Sequence, residues 1–288
     1  MTLLGAAGMR FGLNALLYTA EFTPQHLDLI PKVAETGYDG IELPFINLEC
    51  LDAPAIRRAL EAAGIGATAC AVLVPGTSLI SEDDTERQAA AQRLRQCIDL
   101  AAEMGAEAVA GPLYAPVGQQ AGRRRTDAEW GRAVEGLGAA AEHAAAAGVS
   151  LAIEPINRFE TYFLNTARDA LALLEAVDHP SLFVQVDTFH ANIEEKDTAA
   201  AIRACGSRLG HVHASENDRG TPGTGQVCWD AVFAALREVG YDGWVTIESF
   251  ATDIAELCAA AIWRDIYDST EALAKEGLAF LRQKAGAA

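Results

Sequence analysis

The sequence predicts a single (β/α)8 barrel, and three observations carry that prediction. Short apolar runs rich in Val and Ile alternate with helical stretches along the 288 residues, giving eight strands and eight helical regions at a spacing of about 30 residues. The strands do not alternate toward a polar face, which suits a parallel sheet covered on its outside. Gly37, Gly64, Gly105, Gly148 and Gly240 each close a helical stretch before the next strand, where a left-handed cap is needed. The alternative is an open doubly wound sheet, but no Gly-x-Gly-x-x-Gly follows the first strand to mark one.

Met1–Gly8 reads as an extension, and residues 9–288 as one barrel domain without a linker or composition shift. Strand one is Met9–Leu13. A helix opens at Thr23, with Pro24 in its first turn, and runs to Thr36. Strand two, Gly40–Leu43, leads to a helix over Asp52–Ala63; strand three, Gly66–Leu73, leads to a long Ala-rich helix over Glu82–Met104. Strand four is Ala108–Ala110, followed by the loop GPLYAPVGQQAGRRR and a helix over Thr126–Ala147. The last four strands fall in Ser150–Glu154, Val184–Asp187, Leu209–His213 and Trp244–Glu248. Helices near Thr166–Val177, Thr198–Cys205 and Trp229–Val239 separate them, and a final helical region covers Asp253–Lys284.

A net charge of −18 repels phosphate backbones and anionic lipid, so nucleic acid and membrane surfaces are not expected partners. No run approaches the ~20 apolar residues of a membrane span, and Arg10 interrupts the apolar N-terminal stretch, which argues against a signal peptide. Six scattered cysteines without a Cys-x-x-Cys pair fit reduced thiols and a cytoplasmic location.

Each of the last four strands ends in a side chain able to bind a metal: Glu154, Asp187, His213 and Glu248. In a barrel these strand ends meet at the C-terminal mouth, where active sites lie. Three crowded carboxylates raise one another's pKa unless a cation neutralises them. Three oxygens and one imidazole nitrogen suit Mn²⁺, Mg²⁺ or Co²⁺ with positions left open for substrate. Such an ion acidifies a C–H beside a carbonyl, and Glu154 and Glu248, on opposite sides of Asp187 and His213, are placed to flank the substrate.

The stretches EPINRFE (Glu154–Glu160), VDTFHANIEE (Val186–Glu195), HVHASENDRG (His211–Gly220) and YDGWVTIESF (Tyr241–Phe250) resemble the D-tagatose 3-epimerase / D-psicose (D-allulose) 3-epimerase family. The resemblance is close in the C-terminal half and rests mainly on the fold in the N-terminal half. It implies a (β/α)8 barrel that binds Mn²⁺ or Co²⁺, acts on free ketoses through a cis-enediolate, and assembles as a homodimer or homotetramer. It further implies that Glu154, Asp187, His213 and Glu248 ligate the metal, and that Glu154 and Glu248 double as the acid/base pair at C3. Glu160, His190 and Arg219 match positions that hold the C1–C3 oxygens. Asn14 and Ala115 depart from the family's usual aromatic residues around C4–C6. Phe22, Leu113, Tyr114 and Phe250, with Phe45 and Cys70 behind them, are the candidates for the altered wall.

His211 is expected on the opposite face of its strand from His213, as packing. Arg123–Arg125 reads as a solvated loop, and Gly220–Gly225 as a mobile loop in preference to a phosphate site. Trp263 and Tyr267 are candidate interface residues. A related aldose–ketose or hydroxypyruvate-type isomerase is the nearest rival. A metal-dependent abasic-site nuclease is disfavoured by charge and scarce histidine, and a non-catalytic sugar-binding barrel has no need of crowded carboxylates.

Overall fold

A computed structural model describes residues 8–252, 254 and 261–286. The strands are β1 (Arg10–Asn14), β2 (Gly40–Phe45), β3 (Gly66–Ala71), β4 (Ala108–Gly111), β5 (Ser150–Ile153), β6 (Leu182–Asp187), β7 (Leu209–Ala214) and β8 (Trp244–Ile247). All pair in parallel in sequence order, and β8 closes on β1. Helices α1 (Leu29–Thr36), α2 (Ala53–Ala63), α3 (Asp84–Met104), α4 (Asp127–Ala147), α5 (Ala167–Val177), α6 (Thr188–Glu194), α7 (Thr198–Cys205), α8 (Trp229–Glu238) and α9 (Thr270–Ala285) accompany them. The strands are buried along nearly their whole length, as a sheet covered by helices must be.

Register decides which side chains meet at the mouth. Asp187 pairs with His213 across β6 and β7, His213 with Thr246 across β7 and β8, and Asn14 with Glu42 across β1 and β2. At the opposite end the indole of Trp244 plugs the barrel floor. It fits because Gly40 and Gly66 have no side chains; a Cβ there would lie 2.4 Å and 2.9 Å from the ring. Arg10 stacks on the same indole at 4.1 Å and pairs with Glu107, fixing the plug from below.

Three boundaries differ from the sequence reading. Thr23 caps only a 3-10 turn over Pro24–His26, because the His26 ring accepts the Thr23 N–H; α1 begins later, at Leu29. The stretch after β6, to which no element was assigned, forms α6, with the Asp187 carboxylate accepting Phe189 N–H as its cap. The final helix starts at Thr270, where Ser269 caps it, and Ala261–Asp268 is irregular. Asp253 and residues 255–260 lie outside the described residues, as does most of the N-terminal extension, Met1–Ala7.

Among the described residues, Cys50, Cys70, Cys97, Cys205 and Cys228 are free thiols, and no helix is long and apolar enough to cross a membrane.

Candidate active site

Glu154 follows β5, Asp187 ends β6, His213 lies in β7 and Glu248 follows β8; all four are buried. Ligand atoms of Glu154, Asp187 and His213 lie within 4.8 Å of one another. His213 Nδ1 is 3.3 Å from Glu248 Oε1 and 4.0 Å from Glu154 Oε1. Glu154 Oε1 is buried without a hydrogen-bond partner. An unpaired carboxylate oxygen at that depth is costly, and a divalent cation would relieve it. Three carboxylates and one imidazole are the donor set that Mn²⁺, Mg²⁺ or Co²⁺ accepts, so the residues present fit such an ion.

The two flanking glutamates sit in opposite fields. Burial pushes the Glu154 carboxyl well above the usual range, against the pull of His213 and with Asp187 and Glu248 adding to the rise. Burial acts on Glu248 in the same direction, but His213 and Arg219 outweigh it and hold that carboxyl well below the usual range.

Arg219 projects from the loop after β7 into this cluster. Its Nη1 donates to Asp187 Oδ2 at 2.6 Å, to Glu248 Oε2 at 2.8 Å and to Ser215 Oγ at 2.8 Å. The guanidinium lies 3.9 Å from the Phe189 ring centroid and 5.2 Å from that of Phe250. Its backbone takes φ 67°, an unusual value for arginine. The Ser249 hydroxyl, donating to Arg219 O at 2.6 Å, and Arg219 N–H, donating to Glu216 O at 3.0 Å, hold it there.

His190, on the first turns of α6, accepts the backbone N–H of Asn157 at Nδ1 (3.2 Å). On the other side of the ring Nε2 lies 3.3 Å from Arg219 Nη2, which can also only donate, so both ring nitrogens face donors. Burial is the main reason its pKa falls to about 3, which keeps the ring neutral. Nε2 lies 4.0 Å from Glu154 Oε1 and 3.9 Å from Asp187 Oδ2. Asn157 also donates to Glu160 Oε1 at 2.7 Å, aligning that carboxylate beside the same opening.

Glu154, Glu160, His190, Arg219, Glu248 and Phe250 all line one cavity of about 280 Å³. Leu16, Ile46, Val72, Leu73, Pro112 and Ile156 add apolar lining to the same cavity. A wider vestibule, lined by Phe159, Phe189 and Trp263 among others, opens above it.

Residues 30–284 match the xylose isomerase-like TIM barrel family. The chain is 34% identical to the ketose 3-epimerase of Arthrobacter globiformis, with 96% of each chain covered. It is 35% identical to the L-ribulose 3-epimerase of Mesorhizobium japonicum, over 94% of this chain and 93% of that one. A D-allulose 3-epimerase from Methylomonas sp., solved in complex with D-allulose, superposes with a TM-score of 0.92 at 30% identity, covering 96% of this chain and 98% of that one.

The chain belongs to the ketose 3-epimerase family.

Several residues of this epimerase-family chain take places that the sequence did not foretell. Asn14, expected in the wall around the far end of a sugar, instead donates to Glu42 Oε1 at 2.9 Å and approaches Glu248 Oε1 at 3.5 Å. Its neighbour across the β1–β2 register is an acid, and that pairing draws it inward. Leu113, Tyr114, Phe22 and Phe45 are fully buried core side chains, whereas Phe250 and Cys70 line the cavity. Ala115 is buried beside the bridge that joins Leu73 to Pro116.

His211 corrects the reading of β7. Residues two apart in a strand share a face, so His211 points inward with His213 and lies 2.7 Å from Glu42 Oε2. Arg123 and Arg124 are exposed, as expected of a solvated loop, and Arg125 is half-buried. Arg123 forks onto Glu129 at 3.0 Å and 2.9 Å, while Arg125 bonds Asp169 and Phe163 O at 2.9 Å each.

The glycine-rich loop is tied down from within. The buried Glu216 carboxylate accepts from Gly223 N–H (2.8 Å), Val227 N–H (3.0 Å) and the Trp229 indole (2.9 Å). Donors that would bind a phosphate are therefore already engaged by an acid.

Sequence reasoning missed Glu42, Asn157, Ser215 and Phe189. Glu42 did leave a signal, as an acid inside the otherwise apolar strand GIELPF.

Proposed function

We propose that the chain is a metal-dependent ketose 3-epimerase, with Glu154, Asp187, His213 and Glu248 holding Mn²⁺ or Co²⁺, or Mg²⁺ in their place. The observation that carries this reading is that Glu154 and Glu248 border one cavity, Glu154 with an unpartnered buried oxygen, on either side of Asp187 and His213. When bound, the ion acts as a Lewis acid that makes the C–H beside a substrate carbonyl more acidic.

The chain's own residues do the rest. One glutamate removes the C3 proton, leaving an enediolate on the sugar, and the other returns a proton to the opposite face, inverting C3. His190, kept neutral by burial, borders the cavity and is placed to hydrogen-bond a substrate oxygen. Arg219 and Glu160 fix the adjacent hydroxyls, and the guanidinium is kept in place by Phe189 and Phe250.

The substrate is a free ketose. Glu216 occupies the loop donors after β7, and the cavity's apolar lining offers contacts without charge. Relatives named for L-ribulose and D-allulose support free five- and six-carbon ketoses as the size class. A net charge of −18 weighs against a nucleic-acid substrate. Free thiols support a reducing, cytoplasmic setting, and the exposed Phe159 and Trp263 support assembly into a homodimer or homotetramer.

The test is NMR of metal-stripped protein, with and without Mn²⁺, on L-ribulose, D-fructose and D-tagatose in D₂O. Deuterium at C3 together with the 3-epimer, only with metal present, is the expected result. Deuterium at C1 or C2 with an aldose product would replace this reading by an aldose–ketose isomerase.

A further inference from the structure

Glu42 takes no part in the steps above. It lies inside β2, fully buried, and four side chains converge on its carboxylate. His213 Nε2 is 2.6 Å and Asn14 Nδ2 2.9 Å from Oε1; His211 Nε2 is 2.7 Å and Thr68 Oγ1 2.8 Å from Oε2. A carboxylate this deep persists as an anion only with such partners.

Glu42, His211 and His213 also have the composition of a second cation site. The distances decide against it. Two donors on one first-row ion, at bonds of about 2.0–2.1 Å, stand about 3 Å or more apart. The imidazole nitrogens lie 2.6 Å and 2.7 Å from Glu42, at hydrogen-bonding separation with no room for an ion between.

We propose that Glu42 is a positioning residue of the metal centre. It accepts the Nε2–H of His213 and so leaves Nδ1 as the ligating nitrogen, which lies 2.9 Å from Gln185 Nε2, 3.3 Å from Glu248 Oε1 and 4.0 Å from Glu154 Oε1. Asn14 and Thr68 hold Glu42 in turn by hydrogen bonds, with His211 packed against it. Asn14 links the network to a second ligand through its 3.5 Å approach to Glu248. The device joins β1, β2 and β3, which supply no metal ligand, to His211 and His213 on β7 and to Glu248 after β8. This inference rests on the metal-dependent reading of the site.

The experiment is calorimetric titration of Mn²⁺ into metal-stripped wild type, Glu42→Gln and Thr68→Val, with Co²⁺ visible absorption on each. Glu42→Gln is expected to weaken Mn²⁺ binding about 10–100-fold and to shift the Co²⁺ ligand-field bands, which a purely structural role would not move. Thr68→Val frees Glu42 from one donor without touching His213, and is expected to weaken Mn²⁺ binding by a smaller factor. Wild-type affinity and an unchanged cobalt spectrum in folded Glu42→Gln would overturn the proposal. If circular dichroism shows that Glu42→Gln does not fold, unaltered Mn²⁺ affinity in Thr68→Val overturns it instead. A wild-type protein that takes up neither ion would overturn the metal-centre reading, and this inference with it. A wild type that binds while Glu42→Gln binds equally well removes this inference alone.

Discussion

Arg219 Nη1 lies 2.6 Å from Asp187 Oδ2, a charge-assisted bond made between two buried side chains. The same nitrogen reaches Glu248, so one guanidinium ties together two of the four acids and histidine at the strand ends. Its planar fork and its stacking on Phe189 are features an ammonium cannot reproduce. Arg219→Lys is expected to lower kcat/KM about 10–100-fold, the loss of a charged hydrogen bond worth about 1.5–3 kcal/mol. Steady-state kinetics at saturating Mn²⁺ would check this.

Isosteric removal of either flanking carboxylate should stop proton transfer while leaving the cavity's shape. Glu154→Gln and Glu248→Gln are each expected to reduce kcat by at least about 10²–10⁴-fold, the usual worth of a positioned acid or base. Both also remove a metal donor, so Mn²⁺ occupancy must be measured alongside turnover. Loss of C3 deuterium exchange at full metal occupancy separates the two effects.

Chelation should abolish epimerisation, and added Mn²⁺, Co²⁺ or Mg²⁺ should restore it. Because the unfolded chain has no preformed site, the ion also stabilises the fold, by about 2.7 kcal/mol at 100 times its dissociation constant. A concentration-dependent rise in Tm on adding Mn²⁺ is the expected readout, and a flat Tm would count against the buried cluster as its site.

Glu129 supplies a pH dependence away from the strand ends. Hydrogen bonds from Arg123 outweigh the effect of burial and, with those from Thr126 and Tyr162, bring its carboxyl down to about 2. A lowered folded pKa contributes stability that is present above the unfolded value, about 4.3, and is lost as pH falls through the folded one. The Tm difference between wild type and Glu129→Gln is therefore expected to be full at pH 6 and to shrink steadily toward pH 2. Thermal melts across that range measure it.

The strand ends were legible because each places a charged or imidazole side chain after an apolar run, and the barrel then sets four such ends side by side. Glu42 was not legible in the same way. It is mid-strand, and only closure of the sheet brings β2 opposite β7, so its partners cannot be found by spacing. His211 was misplaced by an error of periodicity, since a strand repeats every second residue. The start of α9 was misread because Ala-rich, weakly amphipathic sequence continues upstream of Ser269, and the cap decides where the helix begins. The exposed loop of Arg123–Arg125 was legible, but its ion-pair partners, Glu129 on α4 and Asp169 on α5, are brought to the rim by tertiary packing.

Trp244 makes the barrel a cul-de-sac. With the indole seated in the space left by Gly40 and Gly66 and clamped by Arg10, the far end is closed among the described residues, and the cavity opens to the vestibule. Two sugars that differ at one carbon must then share a single door, each blocking the other while it is inside. The direction of net conversion is left to the concentrations outside, and an abundant product slows its own formation simply by standing in the way.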